Sequence, residues 1–223
     1  MTRRSFLKYA AGLTSAAAGA AVCGVGYMTL VEPGWHTLER STIAVRGLPE
    51  AFDGYRLVQL SDIHIMGERS ERIVSRAVEL ALAQEPDAVL ITGDYVTGHV
   101  DADRIVAALG GLAAPDGVWT VMGNHDHWTD VGAVREIVRS LGFTELRNAS
   151  APIERGADRF WLAGVDDIWE RKHDLEQALA DVPDGAPVIL KAHEPDNADD
   201  VYPTGRVAQQ VTGHSLGGQQ RQP

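Results

Sequence analysis

The 223-residue chain carries 31 acidic residues against 20 basic ones, a net charge of −11, with 44% hydrophobic and 23% charged residues. Those fractions are ordinary for a globular chain and exclude wholesale disorder. The acidity repels nucleic-acid backbones and argues against a DNA- or RNA-binding module, while a single cysteine, Cys23, excludes an intrachain disulfide and a cysteine metal cluster.

The N-terminus comes first. Arg3, Arg4 and Lys8 precede an uncharged stretch over 9–31, and no acid occurs before Glu32. A charged segment ahead of an apolar, small-residue one is the pattern of an export signal. Arg3-Arg4-Ser5-Phe6-Leu7 resembles the twin-arginine signal, which predicts export by that machinery to the periplasm, the cell wall or the membrane surface. An uncleaved anchor is the alternative, since about 20 residues span a bilayer. Residues 1–31 are therefore read as signal or anchor and 32–223 as the folded domain. Cleavage would follow Ala18-Gly19-Ala20. Ala20-Ala21-Val22-Cys23 is a poor lipobox, so Cys23 is expected as a buried small apolar residue.

Beyond that segment, short apolar runs alternate with helical patterns. Runs at Arg56–Ser61, Ala88–Thr92, Val118–Met122, Phe160–Gly164, Pro187–Lys191 and Arg206–Thr212 fit buried strands. Glu71 to Gln84 predicts a helix with Ile73, Ala77, Leu80 and Ala81 on one face. Thr129 or Asp130 would cap a second helix burying Val131, Val134, Val138 and Leu141, and a short third runs from Asp174 to Ala180. Strands alternating with helices predict an α/β architecture.

After nearly every expected strand the next residues are Asp, His or Asn. They are Ser61-Asp62-Ile63-His64, Thr92-Gly93-Asp94, Gly123-Asn124-His125-Asp126, Ala192-His193-Glu194 and Gly213-His214-Ser215. Alone, each has a bland explanation: a lone histidine packs or is solvated, and Gly-Asp after a strand is a turn. Five of them at strand ends are another matter, because ligands of open α/β sheets gather at the carboxyl ends of strands.

That order resembles the calcineurin-like metallophosphoesterase family over residues 40 to 222, with Gly123-Asn124-His125-Asp126 its most specific motif. Gly164-Val165-Asp166-Asp167 and the run from Lys191 to Asp196 further resemble a twin-arginine-exported bacterial branch related to phosphodiesterases. The resemblance implies a four-layer α/β/β/α sandwich and a phosphoester hydrolase with two divalent ions, Mn²⁺, Fe²⁺ or Zn²⁺. By position, Asp62 and His64 would bind the first ion, Asp94 would bridge both, and Asn124, His193 and His214 would complete the second. The pair would hold a bridging hydroxide for in-line attack, and neutralise phosphate charge on an acidic protein. His125 would protonate the leaving oxygen. Phosphodiesters and lipid-linked pyrophosphates are the expected substrates, the latter because related membrane-associated members include lipid-A-pathway hydrolases.

Three positions depart from the family pattern. Leu216 stands where the family's Gly-His-x-His motif places a second histidine. The chain stops at Pro223, where related proteins usually continue for several strands, so the sandwich is expected to be incomplete at its C-terminus. Thr97 stands where some branches have an aspartate that orients the catalytic histidine. The first two motivate an alternative reading, a catalytically impaired metal-binding relative or a fragment. A third reading, a nucleophile elbow at Ser215, lacks the downstream histidine it needs. His127, Trp128, Asp166 and Asp167 are each divided between lining a cleft and serving the fold. His36, His99 and His173 are expected at the surface, Glu194 beside the ligands or solvated, and Asp199 and Asp200 on a loop.

Overall fold

The computed structural model describes residues 2–30 and 34–214, in two units, Met1–Arg40 and Ser41–Pro223. Leu216, Ser215 and the C-terminal tail lie outside the described residues.

The first unit is a helix, α1 (Arg3–Leu30), with no acid in its first turn. Its 28 residues give a rod about 42 Å long. Among the described residues no helix is long and apolar enough to cross a membrane. Cys23 is exposed on α1, against the expectation that it is buried. A lone helix has no second layer within its unit to bury a side chain against.

The second unit holds two four-stranded sheets. The first comprises β1 (Leu57–Leu60), β2 (Ala88–Ile91), β3 (Val118–Thr120) and β4 (Thr144–Glu145), in that order and all parallel. The second comprises β5 (Ala149–Arg155), β6 (Asp158–Gly164), β7 (Val188–Ala192) and β8 (Gln209–Thr212); β5 and β6 run antiparallel and the remaining pairs parallel. Pro152 is tolerated in β5 because that strand lies at the sheet edge.

Three hydrophobic cores show the layering. Alternate strand residues point to opposite faces. Val89 and Ile91 of β2 enter a core with Val74, Val78 and Ala81 of α2 (Glu68–Leu82), Ile105 and Leu109 of α3 (Ala102–Leu109), and Val134 and Val138 of α5 (Val131–Ser140). Leu90 instead meets Phe160, Leu162 and Ile189 between the two sheets, sealed by Phe52. Trp161, Ala163, Val188, Leu190 and Ala192 face outward from the second sheet onto Ala178 of α6 (Leu175–Ala178), Leu179, Val182 and Val201 of α7 (Ala198–Val201). Helices on each outer face and two sheets between them make the expected α/β/β/α sandwich.

Helix details differ from the sequence pattern. The buried stripe of α2 is Val74, Val78 and Ala81, one position on from Ile73, Ala77 and Leu80, which are half-buried. Asp130 caps α5, its carboxylate accepting from the Ala133 N–H. Asp199 and Asp200 lie on α7 rather than in a loop.

Candidate metal centre

Five loops bring the site together, each leaving the carboxyl end of a strand: Asp62 and His64 follow β1, Asp94 follows β2, Asn124 and His125 follow β3, His193 follows β7 and His214 follows β8. To turn sharply there, the backbone takes left-handed conformations. Asp62, His64, Asp94 and His214 have φ of 53°, 45°, 58° and 59°. Non-glycine residues adopt that region at a cost that the surrounding structure must offset, and such residues cluster at functional sites.

The glycines of the motifs serve close approach. A Cβ on Gly93, at φ +94°, would lie 2.6 Å from the Gly123 nitrogen and 2.9 Å from His193 Nδ1. One on Gly123 would collide with the Asp94 carboxylate, and one on Gly213 with Ser61 Oγ. Asp126 locks the same loops from beneath. Its buried carboxylate accepts from the backbone N–H groups of Asp94, Tyr95, Val96 and Gly123, at 2.8 to 3.2 Å. It serves this backbone nest and makes no bond to the His125 ring. Burial pushes Asp126 up to about 7 against the pull of those donors.

Two groups of donor atoms result, and they share Asp94. Asp62, His64 and Asp94 form one; Asp94, His193 and His214 form the other, with each group's ligand atoms within 4.8 Å of one another. Asp94 Oδ2 lies 3.6 Å from His64 Nε2 and 3.3 Å from His193 Nε2. Asn124 Oδ1 is 3.1 Å from His193 Nε2, and His214 Nδ1 is 3.2 Å from it.

His193, His64 and Asp62 are each turned inward by a bond on the other side. His193 Nδ1 donates to the Thr92 carbonyl at 2.6 Å, leaving the Nε2 lone pair facing the cluster. His64 Nδ1 lies 2.7 Å from Thr97 Oγ1. Asp62 Oδ2 accepts from Ser61 Oγ and the His214 N–H, freeing Oδ1. Such outer partners fix the ring orientation of metal-binding histidines. The electrostatics agree. Burial alone would lower the His193 pKa, yet the Asp94 carboxylate beside it pushes it up. Burial would raise Asp94, but the hydrogen bond and charge of His193 hold it below the usual carboxylate range. The cluster favours positive charge at its centre, and its mixed oxygen and imidazole donors suit a borderline divalent ion.

All seven residues singled out from the sequence converge here. His125 stands at the lip, its ring edge-on to His64 at 4.9 Å and its Nδ1 3.4 Å from Thr97 Oγ1. The undecided residues divide. His127 and Asp166 are buried together and serve the fold. Glu194 is buried, 1% exposed, not solvated, and burial raises its pKa. His99 is exposed as expected; His36 and His173 are half-buried, His173 bonded to Asp200 at 3.2 Å. Trp128 is exposed beside His125, and Trp169, which no sequence pattern marked, lies against His214.

A family model described as calcineurin-like phosphoesterase matches residues 55–217. The chain is 31% identical to the metallophosphoesterase YkuE of Bacillus subtilis over 230 residues, covering all of this chain and 79% of that protein. It is 29% identical to the phosphodiesterase YaeI of Escherichia coli, again over the whole of this chain and 80% of the relative. A transmembrane protein with a metallophosphoesterase domain from Danio rerio is 34% identical over 79% of this chain, which spans 44% of that protein.

Proposed function

This chain belongs to the calcineurin-like phosphoesterase family and is a hydrolase acting on phosphoester bonds, and from that premise we infer that it is a phosphodiesterase working with two divalent ions. The observation that carries the reading is Asp94, common to both donor groups. Asp62, His64 and Asp94 would hold one ion; Asp94, Asn124, His193 and His214 would hold the other. Manganese, iron or zinc fits these donors. When bound, the ions supply Lewis acidity and an activated water for in-line attack on phosphorus.

The chain's own residues do the rest. If His64 Nδ1–H donates to Thr97 Oγ1, the threonine hydroxyl proton is free for His125 Nδ1. That assignment leaves the His125 proton on Nε2, where it serves as general acid for the leaving oxygen. The left-handed backbones at Asp62, His64, Asp94 and His214 keep the donors preorganised.

Phosphodiesters are the proposed substrates, supported by the name of the Escherichia coli relative; lipid-linked pyrophosphates are the second candidate class. Export by the twin-arginine route to the periplasm, cell wall or membrane surface is supported by Arg3-Arg4-Ser5-Phe6-Leu7 ahead of an uncharged stretch. One observation favours a second reading. Leu216 cannot donate to a metal, so the first position would keep fewer protein ligands and catalysis would be impaired. The test is hydrolysis of bis-p-nitrophenyl phosphate by the Mn²⁺-loaded chain and by Leu216→His. Turnover by the natural chain, lost in His193→Ala, supports the hydrolase. Turnover by Leu216→His alone supports the impaired relative.

A further inference from the structure

Two large aromatic side chains stand exposed at the mouth of the centre. Trp128 is 57% exposed on the short helix Asn124–Thr129, and Trp169 is 48% exposed in a turn after β6. Their rings stack at 27° with centroids 6.4 Å apart. Each also touches a histidine of the centre: Trp128 lies 5.0 Å from the His125 ring, and Trp169 lies edge-on to His214 at 4.3 Å. His125, Trp128, Trp169 and His214 therefore form one continuous aromatic wall along one side of the donor cluster. The wall is held in place, because Trp128 Nε1 donates to Glu170 Oε1 at 2.9 Å.

Exposed apolar surface beside a reactive centre marks a place where something binds. The shape says what. An alkyl chain gains from any apolar groove, whereas near-parallel indole faces reward another flat ring by offset stacking. Stacking on aromatic side chains tolerates any base, because each has a π-face. Since the wall ends on His125 and His214, its occupant is joined to the phosphorus-bearing group.

We propose that Trp128 and Trp169 form the subsite for a planar ring, nucleobase or aryl, carried on the phosphoester substrate. The proposal rests on the phosphodiesterase reading above and adds the class of substituent. It also gives two exposed tryptophans, one on a short helix and one in a turn, a reason to converge.

Calorimetry on the full Mn²⁺-loaded chain tests it without turnover. The probes are inorganic phosphate, ribose 5-phosphate, AMP, phenyl phosphate and octyl phosphate. AMP, or AMP and phenyl phosphate together, bind roughly tenfold tighter than ribose 5-phosphate. Trp128→Leu and Trp169→Leu each remove most of that advantage, Trp128→Phe and Trp169→Phe keep it, and inorganic phosphate binds alike in all five proteins. A preference for AMP alone identifies a nucleobase; equal preference for phenyl phosphate identifies any aryl ring. Equal affinity for AMP and ribose 5-phosphate, a preference that survives both leucine variants, or tightest binding by octyl phosphate overturns the proposal and leaves the hydrolase reading standing. Failure of inorganic phosphate to bind overturns both.

Discussion

His127 Nε2 donates to Asp166 Oδ1 at 2.8 Å, with both side chains 1% exposed. The tautomer follows from the other nitrogen. Lys172 Nζ lies 2.9 Å from His127 Nδ1, and an ammonium only donates, so Nδ1 accepts and Nε2 carries the proton. Asp166 Oδ2 meanwhile takes Arg135 Nη2 at 3.2 Å and Arg147 Nε at 2.9 Å. One carboxylate at the end of β6 thus ties down α4 (Asn124–Thr129), which carries His125, together with α5 and the link between β4 and β5.

Removing that carboxylate strands buried donors. Asp166→Ala should cost about 3 kcal/mol and lower Tm by on the order of 10 °C; Asp166→Asn should cost less. Burial would raise the Asp166 pKa, but hydrogen bonds from His127 and the Asp167 N–H, with nearby positive charge, hold it well below the usual carboxylate range. A depressed folded pKa gives stability that is present in full above the unfolded value, about 4, and lost as pH falls toward the folded one. Thermal melts from pH 7 to pH 3 should therefore fall more steeply for the natural chain than for Asp166→Asn. Parallel curves would assign the network no such weight.

Gly123→Ala places a methyl against the Asp94 carboxylate. Metal affinity should fall tenfold or more, on the scale of changes that misorient a ligand. Titration of the apo chain with Mn²⁺ checks this, and unchanged affinity would mean that the loop yields.

Thr97 stands between two rings, 2.7 Å from His64 Nδ1 and 3.4 Å from His125 Nδ1. Thr97→Val keeps the shape and removes the hydroxyl. A roughly tenfold loss of metal affinity or kcat is expected, with recovery in Thr97→Ser. If Thr97→Val matches the natural chain, the hydroxyl orients neither histidine.

His125→Gln separates acid catalysis from metal binding. Metal content should be unchanged, while kcat falls about 10² to 10⁴-fold for esters of poor leaving groups. The loss should shrink for p-nitrophenolate, which leaves without a proton. An equal loss for both leaving groups would argue against His125 as the acid.

Much of this was legible in the sequence because buried strands and their ends write plainly. β2 and β7 are buried along their whole length. β1, β3 and β6 are largely apolar runs with exposed or half-buried positions such as Gln59, and the chemistry directly follows β1, β2, β3 and β7. β5 was not legible: Ala149–Arg155 is an edge strand, broken in pattern by Pro152 and partly solvated. β4 has two residues, too short for any periodicity. α4 is a polar six-residue segment whose helix comes from the site loop, not from an apolar stripe. The ligand candidates were readable as motifs, but although Asp and His are enriched at left-handed backbones, nothing in residue type says that Asp62, His64, Asp94 and His214 adopt them. Trp169 was silent because its partner His214 is 45 residues away and only the fold unites them.

Asp94 as the shared ligand is the claim on which the rest depends, and metal stoichiometry tests it most directly. The full chain, stripped of metal, reloaded with Mn²⁺ and dialysed, should retain two ions per chain by elemental analysis, and Asp94→Ala should retain at most one, weakly held. A natural chain that binds one ion or none, or an Asp94→Ala variant that keeps both, would contradict the dinuclear account.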